Sequence, residues 1–119
     1  MKITYANRKT EKQCTSMKEA LKLFGGNKKL ATSLLARIEY IENAKAIKDI
    51  IVIPPFRFHN LKGKWDGYFA IDVKNVNDKW RIILRPLDKN GNIFRPCNID
   101  EIASVAVNIE IKEVSPHYE

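Results

Sequence analysis

The hydrophobic period of this chain changes at "IPPF" (53–56), and that change limits the folds open to it. Two consecutive prolines cannot sit inside a helix, because each lacks an amide donor and pushes the preceding residue into extended backbone. Before Pro54 the apolar residues recur at helical spacing, and after Pro55 they alternate. Upstream, Cys14, Met17, Leu21 and Phe24 form one stripe. "GGN" at 25–27 ends it, and Leu30, Leu34, Leu35, Ile38 and Ile41 form a second. The spacing predicts a hairpin of two helices from about Thr10, with the stripes as core, preceded by a short β-prone "KITY". Downstream, "FRFHNLKG", "GYFAIDV", "KWRIILRP" and "VAVNIEI" are short, aromatic and β-branched. Turn residues separate the first three, as in an antiparallel meander. "LDKNGNIFRPCNIDEIAS" has room for a turn and a short helix starting near Asp100. The expected class is therefore α+β, as one domain over residues 1–119. Its order is an N-terminal strand, a helical hairpin and an antiparallel sheet of about four further strands, with helices on one face.

Alternation assigns the faces of that sheet. Trp80, Ile82 and Leu84 are expected to point towards the helices, which leaves Lys79, Arg81, Ile83 and Arg85 on the other side. Tyr68 and Asp72 are expected to share that open face, with Lys62 and Lys64 in a turn close by. The last strand is expected to bury Val105, Val107, Ile109 and Ile111. Its pattern then slips at Glu113 and Val114, which predicts a bulge or the end of the strand. His117 and Tyr118 follow at once; His59 is the other histidine, read as structural.

Charge bears on the partner. Twenty-one Lys and Arg oppose fourteen Asp and Glu, a formal +7, which favours nucleic acid or an acidic protein. Arg81 and Arg85 have two readings: pairing with carboxylates such as Asp72, or a ladder of cations that binds an anion. The ladder, with a His-Tyr tail beside it, favours the anion site. No apolar run nears the length of a membrane span and "MKITYANRKTEKQ" has no apolar leader, so a cytoplasmic protein is expected. Cys14 and Cys97 are read as a small hydrophobe and a spare thiol, and no ligand cluster for a metal is evident.

The residues "FHNLKGKWDGYFAIDV", "KWRIILRPLD" and "EIKEVSPHYE", with "TEKQCTSMKEA" and "IENAKAIKDIIVIPPFRFH", resemble the HigB-type toxins of the RelE/ParE superfamily, also called plasmid maintenance system killer proteins. The resemblance covers nearly the whole chain in the same element order. It implies a RelE-like fold and a toxin of a type II toxin–antitoxin system. Such a toxin is a ribosome-dependent mRNA interferase, an endoribonuclease that cuts mRNA in the ribosomal A site and stops translation. It also implies a HigA-like helix-turn-helix antitoxin as partner. Lys62 corresponds to the lysine of the family's Leu-Lys-Gly turn, Arg81 to its Trp-Arg arginine, and Tyr118 to the tyrosine of its Asp-Tyr-His ending. Two positions depart from the pattern: Lys79 replaces an asparagine, and His117 precedes the tyrosine instead of following it.

Metal-free cleavage of RNA uses the 2′-hydroxyl as nucleophile and needs no cofactor. Arg81 is the expected charge stabiliser, Lys62 a phosphate contact or base, and His117 and Tyr118 the proton-transfer and orienting pair. Lys64, Lys79 and Arg85 are the expected RNA contacts. The rival readings are a ParE-like toxin that poisons DNA gyrase, a non-catalytic basic RNA-binding module, and an inactive toxin-like fold that only holds its antitoxin.

Overall fold

The computed structural model describes residues 1–116. Five strands form one mixed sheet in the order β1-β5-β4-β3-β2. They are β1 (Lys2–Tyr5), β2 (His59–Asn60), β3 (Phe69–Asp72), β4 (Arg81–Leu87) and β5 (Asn108–Ser115). The four later strands pair antiparallel as expected, while β1 joins the far side of β5 in parallel. The helices are α1 (Arg8–Thr15), α2 (Met17–Leu23), α3 (Lys28–Asn43), α4 (Lys48–Ile51) and α5 (Ile99–Ile102), the last at the place expected near Asp100. No helix among the described residues is long and apolar enough to cross a membrane.

The predicted helical hairpin is a group of three helices. The backbone breaks at Ser16, whose extended conformation ends α1 and whose hydroxyl accepts from the Glu19 amide to cap α2. Asn7 and Asn27 cap α1 and α3 in the same way, through the amides of Thr10 and Leu30. Most of the two stripes packs on one side of the sheet, but Met17 is 38 % exposed at the start of α2, and Leu21 and Leu35 are half-buried. Leu34, Ile38 and Ile41 of α3 meet Ile71, Ile82, Leu84, Ile109 and Ile111, and Trp80 sets its ring edge-on to Phe24 at 4.9 Å.

Two expectations about β5 have different outcomes. The pattern slip is a bulge: Ile83 pairs with Glu113 but Leu84 with Ile111, so Lys112 is the extra residue. Val105 and Val107, in contrast, are not core. They are 67 % and 44 % exposed, because pairing starts only at Asn108, and Ala106 is buried in their place. The alternating pattern starts three residues before the ladder that enforces it.

Truncating Ile38 to alanine is expected to remove about 2–5 kcal/mol of stability, whereas Val105→Ser should stay within about 0.5 kcal/mol, both measured by urea unfolding. Both cysteines are free, and burial pushes the Cys14 thiol up to about 12. At pH 8 a disulfide reagent should therefore titrate Cys97 in the native chain and reach Cys14 only on unfolding.

Candidate functional site

The register of β3, β4 and β5 builds the face turned away from the helices. Asp72 lies opposite Arg81, and Ala70 opposite Ile83. On the other side of β4, Ser115, Glu113 and Glu110 lie opposite Arg81, Ile83 and Arg85. Arg81 and Arg85 thus share one face with Asp72, as alternation predicts. A small apolar patch of Leu61, Ala70 and Ile83 lies between them, flanked by Trp65 and Tyr68.

The two arginines of that face are paired, which corrects the expectation of an open ladder of Lys79, Arg81 and Arg85. Arg81 is 2 % exposed. Its Nε lies 3.1 Å from Asp72 Oδ1, and its Nη1 donates to the carbonyl of Trp80 at 2.9 Å and to that of Asp78. Arg85 Nε donates to Glu110 Oε1 at 2.8 Å, and its guanidinium covers the Tyr68 ring at 4.7 Å. Alternation found the side of the sheet correctly. It could not show that a guanidinium this deep requires a carboxylate beside it, because an unpaired buried charge is too costly to keep.

Asp72 carries a second arginine that the sequence reading did not single out. Arg57 holds its carboxylate with two bonds, Nε to Oδ2 at 2.8 Å and Nη2 to Oδ1 at 3.1 Å. Its backbone is left-handed, at φ 48°. That conformation costs a non-glycine residue about 1–2 kcal/mol, and the ion pair helps to hold it. The Asp72 carboxylate thus bridges two guanidinium groups. From α3, Arg37 donates through Nε to the Asp72 carbonyl at 3.1 Å. Burial lowers the Arg37 pKa, and Asp72 opposes that shift.

His59 also faces the open side, paired with Ala70 in the short β2. Its Nδ1 lies 2.6 Å from the Arg57 carbonyl. A carbonyl oxygen can only accept, so Nδ1 carries the proton and Nε2 is left to take or give one. The structural assignment made for this histidine from sequence therefore accounts for one ring nitrogen only. The signal that could have placed it was its phase with Leu61, which a two-residue strand makes hard to read. Lys62 and Lys64 are exposed in the turn between β2 and β3, and Lys79 is exposed just before β4. His117 and Tyr118 lie outside the described residues. The strand that leads to them ends at Ser115 and Pro116, with Ser115 against Arg81.

The structure thus brings Arg81, Arg85 and His59 to one face, with Lys62 and Lys64 at its margin. Among the described residues no group of three or more His, Cys, Asp or Glu is arranged to hold a metal ion. The chain matches no model of a known protein family and no curated protein.

Removing the carboxylate that joins the two arginines should be the most damaging change on this face. Asp72→Ala is expected to lose about 3–5 kcal/mol in urea unfolding. Arg57→Gly should lose much less, since that side chain is 42 % exposed and glycine relieves the left-handed backbone.

Proposed function

We propose that this protein is the toxin of a type II toxin–antitoxin system, a RelE-like, ribosome-dependent mRNA interferase of HigB type acting in the cytoplasm. The observation that carries the reading is the pairing of Arg81 with Ser115. It sets the tryptophan-flanked arginine beside the strand that leads to His117 and Tyr118, the two parts that the family resemblance requires to cooperate. The arginines fixed on Asp72 and the half-buried His59 next to them bring charge and a proton-transferring ring to the same face.

In this reading the ribose 2′-oxygen attacks the adjacent phosphorus as a base removes its proton. The bond from phosphorus to the 5′-oxygen breaks, and an acid protonates the departing oxygen. A 2′,3′-cyclic phosphate and a 5′-hydroxyl result. His59, through Nε2, and His117 are the groups suited to proton transfer. Arg81, 2 % exposed, acts from beneath the face and not by contact: Asp72 and two carbonyls hold its guanidinium in place before substrate arrives. Such preorganised charge lowers the barrier because nothing has to reorient during reaction. Lys62 contacts the phosphate or serves as the base, Tyr118 orients the substrate, and Lys64 and Lys79 hold flanking phosphates.

Arg8, Lys9, Lys12 and Lys22 line a shallow groove on α1 and α2. They suit the phosphates of ribosomal RNA, or an acidic segment of a HigA-like helix-turn-helix antitoxin.

The test is to map the 5′ ends of cellular mRNA after brief induction, with and without translating ribosomes. New ends within codons should appear only with translation. Lys62→Ala should cut their yield by about 10²-fold while leaving thermal stability unchanged, because the side chain is exposed. His59→Ala and deletion of residues 117–119 should each suppress growth arrest. Intact mRNA alongside gyrase-dependent DNA damage would replace this reading with the ParE-like one. Binding to RNA without new ends would leave only a non-catalytic module.

A further inference from the structure

A cleft of about 640 Å³ opens at the Arg85 end of the same sheet face, between the β2–β3 turn and the loop from β4 to α5. Sites for small ligands occupy roughly 300–1,000 Å³. The walls differ in chemistry. Tyr68 presents an aromatic ring held under Arg85 at 4.7 Å, and Phe94 faces the cleft from the opposite loop. Asn60 and Asp66 bring an exposed amide and an exposed carboxylate to one wall. Arg95 stands exposed on the other, with no ion pair among the described residues. The Arg85 charge, by contrast, is offset by Glu110 at 2.8 Å.

The geometry points to a subsite for one nucleotide of single-stranded RNA, with Tyr68 and Phe94 flanking the base, Asn60 and Asp66 reading its edge, and Arg95 holding a phosphate. Unpaired bases are recognised in this manner, by aromatic surface, edge hydrogen bonds and a nearby cation. An acidic peptide fits less well, because Asp66 would repel it and the aromatic surface would go unused. The inference rests on the proposed function for the identity of the strand as RNA, and it adds a place where sequence is read. Arg81 and Arg85 are four residues apart on β4, or ~13 Å. A strand seated in the cleft therefore has a neighbouring nucleotide within reach of the Arg81 end.

The test uses the full chain and fluorescent hexanucleotides of A, C, G or U with 2′-O-methyl riboses, which cannot be cleaved. Arg95→Glu should weaken all four by about tenfold, as loss of a phosphate contact does regardless of sequence. Asp66→Asn turns an acceptor into a mixed donor and acceptor, and should change the affinity ranking among the four by about threefold or more. Wild-type affinities and ranking in both variants would overturn the subsite, even if the protein cuts mRNA in cells. The expected changes in hexamer binding, in a protein that produces no new mRNA ends, would keep the subsite and remove the nuclease reading. Loss of acidic-peptide binding with unchanged hexamer binding would make the cleft a protein-docking site and end this proposal.

Discussion

The Asp72 carboxylate, buried between two arginines, is the contact on which the open side of the sheet depends. It joins Arg57, which leads into β2, to Arg81, the first residue of β4, while its own carbonyl receives Arg37 from α3. One residue thus connects both edges of the β3–β4 pair to the helical layer. A carboxylate in that position is favourable only with its partners in place. The group therefore forms as a unit or not at all. That cooperativity turns a flexible cationic side chain into a fixed charge, at the end of the sheet where β5 closes.

Positive charge here is organised in two ways. Arg81 and Arg85 are held by carboxylates and gain definite positions at the expense of part of their field. Lys62, Lys64 and Lys79 stay exposed, with no ion pair among the described residues. Fixed charge suits discrimination of a transition state, whereas solvated lysines suit attraction of a polyanion from a distance. The overall +7 therefore overstates what any single point of the face offers.

Much of the architecture was legible in the sequence because burial enforces period. Trp80, Ile82 and Leu84 occupy the helix-facing side as alternation requires, and the slip at Glu113 and Val114 is a real bulge. Four features were not legible. The stripe of Cys14, Met17, Leu21 and Phe24 hides the break at Ser16, since two short helices at an angle can bury nearly the same residues as one. Val105 and Val107 follow the strand pattern without a partner strand to enforce it. Partner choice was the third: period shows the side on which Arg81 lies, but not the carboxylate that meets it. Arg57 was missed for a related reason, because its left-handed backbone, between a proline-led turn and a two-residue strand, follows no period at all.

The bulge at Lys112 decides which side of the sheet the last residues of β5, Glu113 to Ser115, present. Before it, even-numbered residues face outward, as Glu110 does opposite Arg85; after it, odd-numbered ones do, as Glu113 and Ser115 show. The extra residue acts as a half-step in the strand's parity. Were Lys112 to take a regular place in the ladder, the pattern set by Ile109 and Ile111 would drive Glu113 into the apolar layer and turn Val114 out to solvent. Deleting Lys112 would set Glu113 directly after Ile111 in unbroken alternation, so the strand would lose its kink while Glu113 and Ser115 kept the outward face.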